Sequence, residues 1–591
     1  MEKSWVEKAV DGRSVDELVA AGFSPLAARL LALRGVSPGN VGSYLTPSHR
    51  DLAAPSELPG VAAAVAAAMP FVRAHSPIVV FGDYDCDGVC ATAILVTALG
   101  ALGADVSPFI PRRADEGYGM TDASVARMLS EHPQVALVVT VDNGINAVGP
   151  VSALKARGIA VVVTDHHLPG EELPAADALV NPKVAAPARL EWLCGAGVAY
   201  MFARALVEAA RSDVGDPNLA AGISGRIFVM AGLATVTDIM PLSGQNRVLV
   251  SEALSHFRSW APIGLRELYD RVSRAASPRM SARDFGFLIG PRINAVGRIE
   301  GRFGTAMDAP LGLMLGSDRE RARELARIVD ECSAVRKRYE HAMTEMAMER
   351  VRPGAAGQSL FLDGSDPMVH PGVAGIVAAR VMERLGGTSP VCVLVDGKGS
   401  ARAPSGYNLR DAFESCAAHL SHFGGHAVAA GLGVVAGHEE AFARDFAAVC
   451  ASQERGIPES EKGVVGVDAF VDPADLTIEL AREVERFEPF GEGNPEPVFA
   501  VRGARLADVK PLGQEGRHLS LSFSDGCPRA VWWGRGDLVE RLRAEADAPH
   551  DLVFTLEVSN FQQPHVELRL QGVRLSAGAR AIRAESTRSS T

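Results

Sequence analysis

The chain has 591 residues, of which 47% are hydrophobic, and its formal net charge is −12 at pH 7. Such a length indicates three or four globular domains rather than a single core. The negative charge argues against a diffusely basic, histone-like DNA-binding protein, so a nucleic acid would have to bind in a local groove of cations or at metal ions.

Cysteines and apolar segments indicate where the protein works. The eight cysteines are scattered and include no Cys-x-x-Cys pair, which favours reduced thiols in a cytosol over disulfides. No apolar signal region follows Met1, and the Ala-rich segment 61–69 is too short to span a bilayer. We expect a soluble, cytoplasmic protein with no membrane partner.

The first half of the chain is predicted to form helices and then an α/β domain. Residues 1–70 have apolar helical faces that are interrupted by prolines. Strands are then predicted at 78–82, 106–110, 135–141 and 159–164, and helices at 89–99, 121–129, 147–157, 198–210 and 227–234. The alternation of strands and helices predicts a doubly wound parallel sheet.

A long helix and two further domains are predicted in the second half. Residues 317–351 contain no Gly or Pro and are rich in Arg, Glu, Ala and Leu, which predicts a solvated helix with i,i+4 ion pairs that bridges two domains. A second α/β unit follows, with strands near 359–362 and 391–395 and a helix at 373–385. Beyond residue 456, about five short strands predict a small barrel of OB type.

Clusters of carboxylate and imidazole groups follow three of the predicted strands. They are Asp-Tyr-Asp-Cys-Asp at 83–87, Asp-Asn-Gly at 142–144 and Asp-His-His at 165–167. Because ligands bind at the C-terminal edge of open α/β sheets, we expect the three clusters to converge. Mixed Asp and His ligation suits Mn²⁺, Mg²⁺ or Zn²⁺ in hydrolysis, and two ions can clamp the oxygens of a phosphoryl transfer. The pattern predicts a metal-dependent phosphoesterase.

Each cluster has an ordinary structural explanation when it is taken alone. An Asp-rich turn is usually a helix cap or a solvated loop. A His pair after a strand is more often structural or exposed than ligating. Three such clusters at equivalent places in successive strand–helix units make a purely structural role a poor explanation.

Specific sequence motifs occur along nearly the whole chain. In the first half they include Gly82-Asp-Tyr-Asp-Cys-Asp-Gly, Thr164-Asp-His-His and Cys194-Gly-Ala-Gly-Val-Ala. In the second half they include His370-Pro-Gly-Val-Ala-Gly and Phe423-Gly-Gly-His-Ala. Together these motifs resemble those of the bacterial RecJ single-strand-specific exonucleases of the DHH phosphoesterase superfamily. The resemblance implies a helical N-terminal segment (1–70), a DHH catalytic domain (71–316), a connecting helix (317–351), a DHHA1 domain (352–455), an OB-fold single-strand-binding domain (456–575) and a disordered tail (576–591).

The resemblance also implies a site for two divalent cations, Mn²⁺ or Mg²⁺. Its expected metal ligands are Asp83, Asp85, Asp87, Asp142, His166 and Asp238. Asp142 is expected to bridge the two ions, and the expected catalytic residues are His167, Asp142 and His426. Relatives that act on small substrates carry a ligand His where Phe81 stands here, which makes Asp83 a substitute ligand.

Four further residues are expected to contact the phosphates of the substrate. Arg113 matches a family position near the leading nucleotide, and Arg298, Ser400 and Arg402 match a pocket for a 5′-terminal phosphate. A guanidinium binds phosphate through two parallel hydrogen bonds. A surface ion pair is the commoner role of any single arginine, but the motif context favours phosphate binding. His426 would either meet the scissile phosphate or pack in a core.

The predicted barrel contains candidates for holding a single strand. Arg517, His518 and the exposed one of Trp532 and Trp533 are chosen because bases stack on aromatic rings without sequence preference. A position of both Trp rings in the core of the barrel is equally open.

Three functions are compatible with these motifs. The first is an exonuclease that degrades single-stranded DNA from the 5′ end to mononucleotides in repair and recombination. The second is a phosphodiesterase for short oligonucleotides or cyclic dinucleotides, and the third is a catalytically inactive single-strand-binding protein. The long helix and the barrel favour the first over the second, and the complete Asp and His set argues against the third. A monomer that works with a single-strand-binding protein and a helicase is expected.

Overall fold

The structure, a computed structural model, describes residues 4–117, 119–185, 187–214, 219–273, 280–299, 308–456, 464–559 and 563–576. The chain divides into two compact units. The first unit consists of residues 1–52, 241–251 and 463–591, and the second consists of residues 53–240 and 252–462. The predicted disordered tail, 576–591, lies outside the described residues except for its first residue.

The N-terminal segment contains a strand as well as the predicted helices. Its elements are β1 (Ser4–Glu7), α1 (Gly12–Ala20), α2 (Pro25–Ala32) and α3 (Val41–Leu45). Helix α2 begins with a Ser24 cap and a proline in its first turn, the residue types that favour a helix start. The strand was not expected, since this segment was predicted to be helical throughout.

The first sheet of the second unit is fully parallel. Helix α4 (Val61–Arg73) precedes it, and its strands are β2 (Ile78–Phe81), β3 (Val106–Phe109), β4 (Leu137–Val141), β5 (Ala160–Thr164) and β6 (Ala178–Val180). The helices between them are α5 (Cys86–Ala101), α6 (Arg113–Glu116), α7 (Asp122–Glu131) and α8 (Val148–Ala156). All residues of β2 and β4 are buried, as in parallel sheets covered on both faces. The predicted parallel sheet is confirmed.

The strand order of this sheet is β3-β2-β4-β5-β6, so the order reverses between β2 and β4. The acidic loop 83–87 follows β2, and Asp142 follows β4. Both therefore stand at the C-terminal ends of the two strands where the winding changes direction, which is where ligands bind in open α/β sheets.

A run of helices follows the parallel sheet. The helices are α9 (Gly195–Val214), α10 (Leu219–Thr237), α11 (Gly244–Trp260), α12 (Ile263–Val272), α13 (Gly290–Arg298), α14 (Asp308–Leu315) and α15 (Arg319–Met348). A π-helical turn, Asp284–Ile289, runs directly into α13. The predicted long helix is α15, which begins at its N-cap Asp318 and buries one face.

The second sheet of this unit is mixed. Its elements are β7 (Gln358–Leu362), α16 (Ala374–Arg384), β8 (Val391–Val395), β9 (Lys398–Arg402), α17 (Leu409–Ser415), β10 (Leu420–Gly425), β11 (Ala429–Val434) and α18 (Glu439–Gly456). The order is β10-β11-β9-β8-β7, in which only β7 and β8 of the paired strands run parallel. A short 3₁₀ turn, Pro371–Val373, leads into α16.

The C-terminal part of the first unit is a β-sheet of OB type. Its elements are β12 (Val464–Val467), β13 (Ala469–Phe470), α19 (Ile478–Glu485), β14 (Phe499–Ala504), β15 (Leu506–Leu512), β16 (His518–Phe523), β17 (Ala530–Trp532), α20 (Val539–Ala544), β18 (His550–Ser559) and β19 (His565–Leu575). Seven strands pair in the order β13-β14-β18-β19-β17-β16-β15, and β12 pairs with β1. Helices α1 and α2 share the hydrophobic core of this sheet.

Among the described residues, no single helix is both long and apolar enough to cross a membrane. One bent pair of helical segments, His49–Glu57 with Val61–Arg73, passes on length and composition alone.

Candidate active site

The acidic loop after β2 is shaped by backbone contacts at the start of α5. The Asp85 carboxylate caps α5 by accepting hydrogen bonds from the N–H groups of Asp87 (2.9 Å) and Gly88 (3.0 Å). A Cβ atom on Gly88 would lie 2.6 Å from the Cβ of Asp83, so only glycine allows the loop to close this tightly. The Asn294 side chain of α13 accepts a hydrogen bond from the Cys86 N–H at 2.6 Å. The loop is therefore held by both α5 and α13.

Asp142 is held in an unusual backbone conformation at the end of β4. Its φ is +60°, in the left-handed region that non-glycine residues rarely adopt. Its N–H donates to the Thr164 carbonyl at 3.1 Å, and a Cβ on Gly195 would lie 2.5 Å from the Cβ of Asp142. Such strain persists only where the surroundings impose it, and it is concentrated at functional sites.

Asp165 orients the residues that follow it rather than joining the cluster. Its carboxylate accepts hydrogen bonds from the N–H groups of Ile145 (3.0 Å) and His166 (2.7 Å) and from Nδ1 of the His167 ring (2.7 Å). Burial opposes the charged form of Asp165, but the hydrogen bond and charge of His167, together with the Ile145 N–H, outweigh burial and lower the pKa of this carboxyl. Burial also opposes the charged form of His167, but the Asp165 hydrogen bond and the nearby carboxylates together raise the pKa of His167.

Asp87 connects the acidic loop to the start of α9. Its two oxygens accept hydrogen bonds of 2.7 Å from the N–H groups of Gly195 and Ala196. Backbone N–H groups and the helix dipole at a helix N-terminus stabilise an anion. The Cys194-Gly-Ala-Gly motif is thus the partner of a predicted ligand, a role that the sequence alone did not reveal.

The predicted ligands converge on His166. Its Nε2 atom lies 3.1 Å from Asp142 Oδ1 and 3.6 Å from both Asp87 Oδ2 and Asp238 Oδ2. Three sets of donor atoms lie within 4.8 Å of one another: Asp83, Asp85 and Asp142; Asp142, His166 and His167; and Asp87, His166 and Asp238. The sets overlap at Asp142 and His166, so the structure brings all six predicted ligands together with His167.

The electrostatics of this cluster are those of a cation site. Burial, together with the carboxylates of Asp87, Asp85 and Asp83, holds the pKa of Asp142 well above its usual range. Burial and the carboxylates of Asp87 and Asp85 raise the pKa of Asp238 to about 9. Within the described part of the chain, Asp142 Oδ1 and Asp238 Oδ2 are buried and accept no hydrogen bond.

The histidine in the centre of the cluster is suited to metal binding. Burial is the main cause that lowers the pKa of His166, which favours the neutral imidazole that metals require. Hard carboxylate oxygens with one or two imidazoles suit Mn²⁺ and Mg²⁺. The residues present therefore fit divalent cations.

The residues predicted to hold a 5′-phosphate lie around the start of α16. The Arg298 guanidinium, at the end of α13, donates to the Gly372 carbonyl at 3.4 Å. A Cβ on Gly375 would lie 2.9 Å from Nη2 of Arg402 and 3.3 Å from the Cβ of Ser400. The three predicted residues thus flank one helix start, where backbone N–H groups also favour phosphate.

Two other predicted site residues stay predictions. Arg113 begins α6, but its side chain lies outside the described residues. His426 is exposed in the turn between β10 and β11, where its N–H donates to the Ala429 carbonyl at 2.8 Å.

Two neighbouring tryptophans in the β-sheet of the first unit differ in their exposure to solvent. Trp532 is 8% exposed and belongs to the core, whereas Trp533 is 55% exposed. The Trp533 ring contacts His518 edge-on, with the ring centroids 4.7 Å apart. Arg517 pairs with Glu515 at 2.9 Å. Trp533 is therefore the exposed ring of the pair, with His518 against its edge.

Comparison with known proteins agrees with this geometry. Family models match for the DHH family, N-terminal domain (residues 77–223), the DHHA1 domain (357–452) and the RecJ OB domain (467–572). The single-stranded-DNA-specific exonuclease RecJ of Dickeya dadantii is 36% identical over 571 residues, covering 91% of this chain and 93% of the relative. The chain belongs to the RecJ family of single-stranded-DNA-specific exonucleases.

Other RecJ proteins support the assignment. RecJ of Bacillus subtilis is 32% identical over 88% of this chain, which spans 64% of the length of that relative. RecJ of Thermus thermophilus in complex with Mn²⁺ superimposes with a TM-score of 0.81 at 31% identity, covering 97% of this chain and 79% of that chain. Its complex with Mg²⁺ gives 0.75 at 30% identity, covering 97% and 78%. The predicted family and fold are confirmed, and the Thermus protein was solved with the two ions that were predicted for this chain.

Proposed function

We propose that this RecJ-family chain degrades single-stranded DNA from the 5′ end and releases mononucleotides. The observation that supports the proposal is the position of two residues one turn apart on α13. Asn294 holds the acidic loop at Cys86, and Arg298 lies four residues further, next to Gly372. One helical turn advances ~5.4 Å, so a terminal phosphate beside Arg298 would place the next phosphate of the strand near the acidic loop.

The terminal phosphate is proposed to bind Arg298, Ser400 and Arg402 at the start of α16. A charge-assisted hydrogen bond from a guanidinium fixes both the position and the orientation of a phosphate. Since this pocket accepts an end and not a continuous chain, the cut falls after the first nucleotide. Binding of the terminal phosphate then accounts for both the 5′→3′ polarity and the mononucleotide product. Arg113 is proposed to contact the leading nucleotide.

The acidic cluster is proposed to hold two divalent cations, Mn²⁺ or Mg²⁺, between Asp83, Asp85, Asp87, Asp142, His166 and Asp238. When bound, they neutralise the phosphate and lower the pKa of an attacking water. Asp142 is proposed to lie between the two positions, because it belongs to two of the three donor sets. The Asp165 hydrogen bond keeps His167 oriented and favours its charged form, so His167 can stabilise negative charge on the phosphate.

The proposal also gives a role to each of the three domains and to His426. Residues 71–316, 352–455 and 456–575 are proposed as the catalytic, phosphate-end and strand-holding domains, with His426 on the scissile phosphate. The chain is proposed to act as a cytoplasmic monomer in repair and recombination, together with a single-strand-binding protein and a helicase.

The test uses single strands labelled at the 5′ or the 3′ end, with Mn²⁺ or Mg²⁺, and a blunt duplex as the control substrate. The 5′ label should appear as a mononucleotide from the first time point, whereas the 3′ label should give a descending ladder. Release of the 3′ label as a mononucleotide from the first time point, or internal cuts, would contradict the proposal. Hydrolysis restricted to dinucleotides or cyclic dinucleotides would favour the alternative phosphodiesterase.

A further inference from the structure

A second basic pocket of about 440 Å³ lies between α13, α15 and α16. Its basic side chains are Arg292 of α13, Arg336 and Lys337 of α15, and Arg380 and Arg384 of α16. None of the residues that line it belongs to the acidic cluster or to the predicted 5′-phosphate site. The volume is in the range of small-ligand pockets, about 300–1,000 Å³.

Carboxylates around this pocket offset most, but not all, of its positive charge. Glu340 pairs with both Arg336 (3.1 Å) and Arg380 (3.0 Å). Arg292 pairs with Asp330 (3.0 Å), Arg380 also pairs with Glu383 (2.9 Å), and Arg384 pairs with Glu345 (2.7 Å). Among the described residues, Lys337 forms no ion pair. Burial and the neighbouring guanidiniums of Arg292 and Arg336 lower the pKa of Lys337. The five cations of the pocket therefore exceed their four paired carboxylates by one, and Lys337 is the cation left over.

Two buried polar atoms in the wall of the pocket lack partners. Ser333 is 2% exposed and Arg336 is 9% exposed. Within the described ranges, neither Oγ of Ser333 nor Nε of Arg336 has a hydrogen-bond partner. A buried hydrogen-bond donor that has no acceptor lowers the stability of a protein by about 1–3 kcal/mol. Donors of this kind in the wall of a cavity therefore indicate that a ligand supplies the acceptor.

An aromatic side chain stands at the edge of the same pocket. Phe287 lines the pocket and is 73% exposed, and it is carried by the π-helical turn Asp284–Ile289. Single π-helical turns occur often at functional sites. A largely exposed Phe ring beside a group of arginines offers a surface on which a base can stack, which contributes affinity without sequence preference.

We propose that this pocket binds a nucleotide, with its phosphate among Arg292, Arg336 and Lys337 and its base against Phe287. The chemistry is shared by two sources, a free nucleoside monophosphate and one nucleotide of a bound single strand. In the first case the pocket is a regulatory or product site, and in the second it is a contact with the strand.

Photo-crosslinking in EDTA tests the proposal without relying on hydrolysis. One arm uses 5-iodo-deoxyuridine monophosphate, and the other uses a single strand that carries 5-iodouracil, with the crosslinked peptide mapped by mass spectrometry. At least one probe should crosslink to Phe287. Lys337→Glu should lower the yield by ~10-fold, as expected for reversing a charge that binds phosphate, while Arg338→Glu, one residue along the same helix, should not.

The outcomes separate the two sources and the opposing explanation. Crosslinking of the monophosphate that inorganic phosphate competes away supports a free nucleotide, whereas crosslinking of the strand alone supports a strand contact. No crosslink at Phe287, or equal yields for Lys337→Glu and Arg338→Glu, would overturn the proposal and leave the cations as a clamp between helices. A cooperative urea unfolding transition confirms that each variant folds, and Phe287→Ala should weaken equilibrium binding of the same probe.

Discussion

Removing one charge from the acidic cluster should stabilise the metal-free protein. The pKa of Asp238 is raised from 3.8 to about 9, so the folded state binds a proton at neutral pH that the unfolded state has lost. Stability therefore falls as the pH rises between these two values. Each pH unit above 3.8 lowers the free energy of unfolding by ~1.4 kcal/mol. The loss of stability is therefore at most ~5 kcal/mol at pH 7.5. Asp238→Asn, which mimics the neutral acid, should recover much of it.

The assay is urea unfolding in EDTA at several pH values between 6 and 8. The advantage of Asp238→Asn over the wild type should grow by ~1.4 kcal/mol for each pH unit. Asp177→Asn is the matched control, because hydrogen bonds from Lys155 and the Val161 N–H lower the pKa of Asp177 although burial opposes this. This control should destabilise by an amount that does not change over the same pH range.

Adding Mn²⁺ should reverse the order of the two proteins. A cation that binds only the folded state stabilises it by RT ln(1 + [L]/Kd), and the wild type keeps the carboxylate that Asp238→Asn removes. An Asp238→Asn variant that is less stable than the wild type in EDTA at pH 8 would refute the reasoning. A difference independent of pH would refute it as well.

Four other perturbations test the remaining assignments. Asp142→Ala should abolish hydrolysis but preserve single-strand binding, and more than a few per cent of the wild-type rate in saturating Mn²⁺ would show that it is not the bridge. Arg402→Ala should remove the preference for 5′-phosphate over 5′-hydroxyl ends by ~1.5–3 kcal/mol, whereas equal loss on both ends would assign it to folding. Trp533→Ala should weaken strand binding by ~1–3 kcal/mol in a fluorescence titration; no change would exclude stacking there. His550 is buried with a pKa lowered by burial, so urea unfolding should show stability falling below pH ~6.5 as the unfolded chain gains a proton, and a slope unchanged in His550→Leu would contradict this.

The catalytic sheet was predictable because its signals are local. A four-residue run of Ile, Val and Phe forms β2, and a five-residue run of Leu, Val and Thr forms β4; both strands are buried throughout. A buried parallel strand must be apolar on both faces, so the run itself marks the strand. The acidic and His clusters follow these runs directly, and parallel topology then brings them to one edge.

Strand β15 was missed because its sequence does not look like that of a strand. It contains Lys510 and Pro511, and most of its residues are exposed or half-buried. The strand lies at the edge of its sheet, the position where proline is tolerated because one side needs no donor. Only the sheet order, which depends on pairing across the domain, explains why this segment is extended.

Contacts between segments that are far apart in the chain could not be predicted from the sequence either. Strand β1 pairs with β12, more than 450 residues away, and Arg247 donates to the backbone carbonyls of Tyr44, Phe487 and Glu488. Asn294 supports the acidic loop across 208 residues. No local pattern marks these partners, since each is an ordinary polar residue until the fold places it.

The helix-cap explanation and the metal-site explanation of the acidic clusters are compatible. Asp85 caps α5 while it shares a donor set with Asp83 and Asp142. Asp87 accepts two N–H groups at the start of α9 while it shares a set with His166. Backbone donors offset part of the repulsion among buried carboxylates, so capping makes the cluster possible in the absence of cations. A capping role is therefore no argument against ligation, and in this fold the caps are what hold the ligands in place.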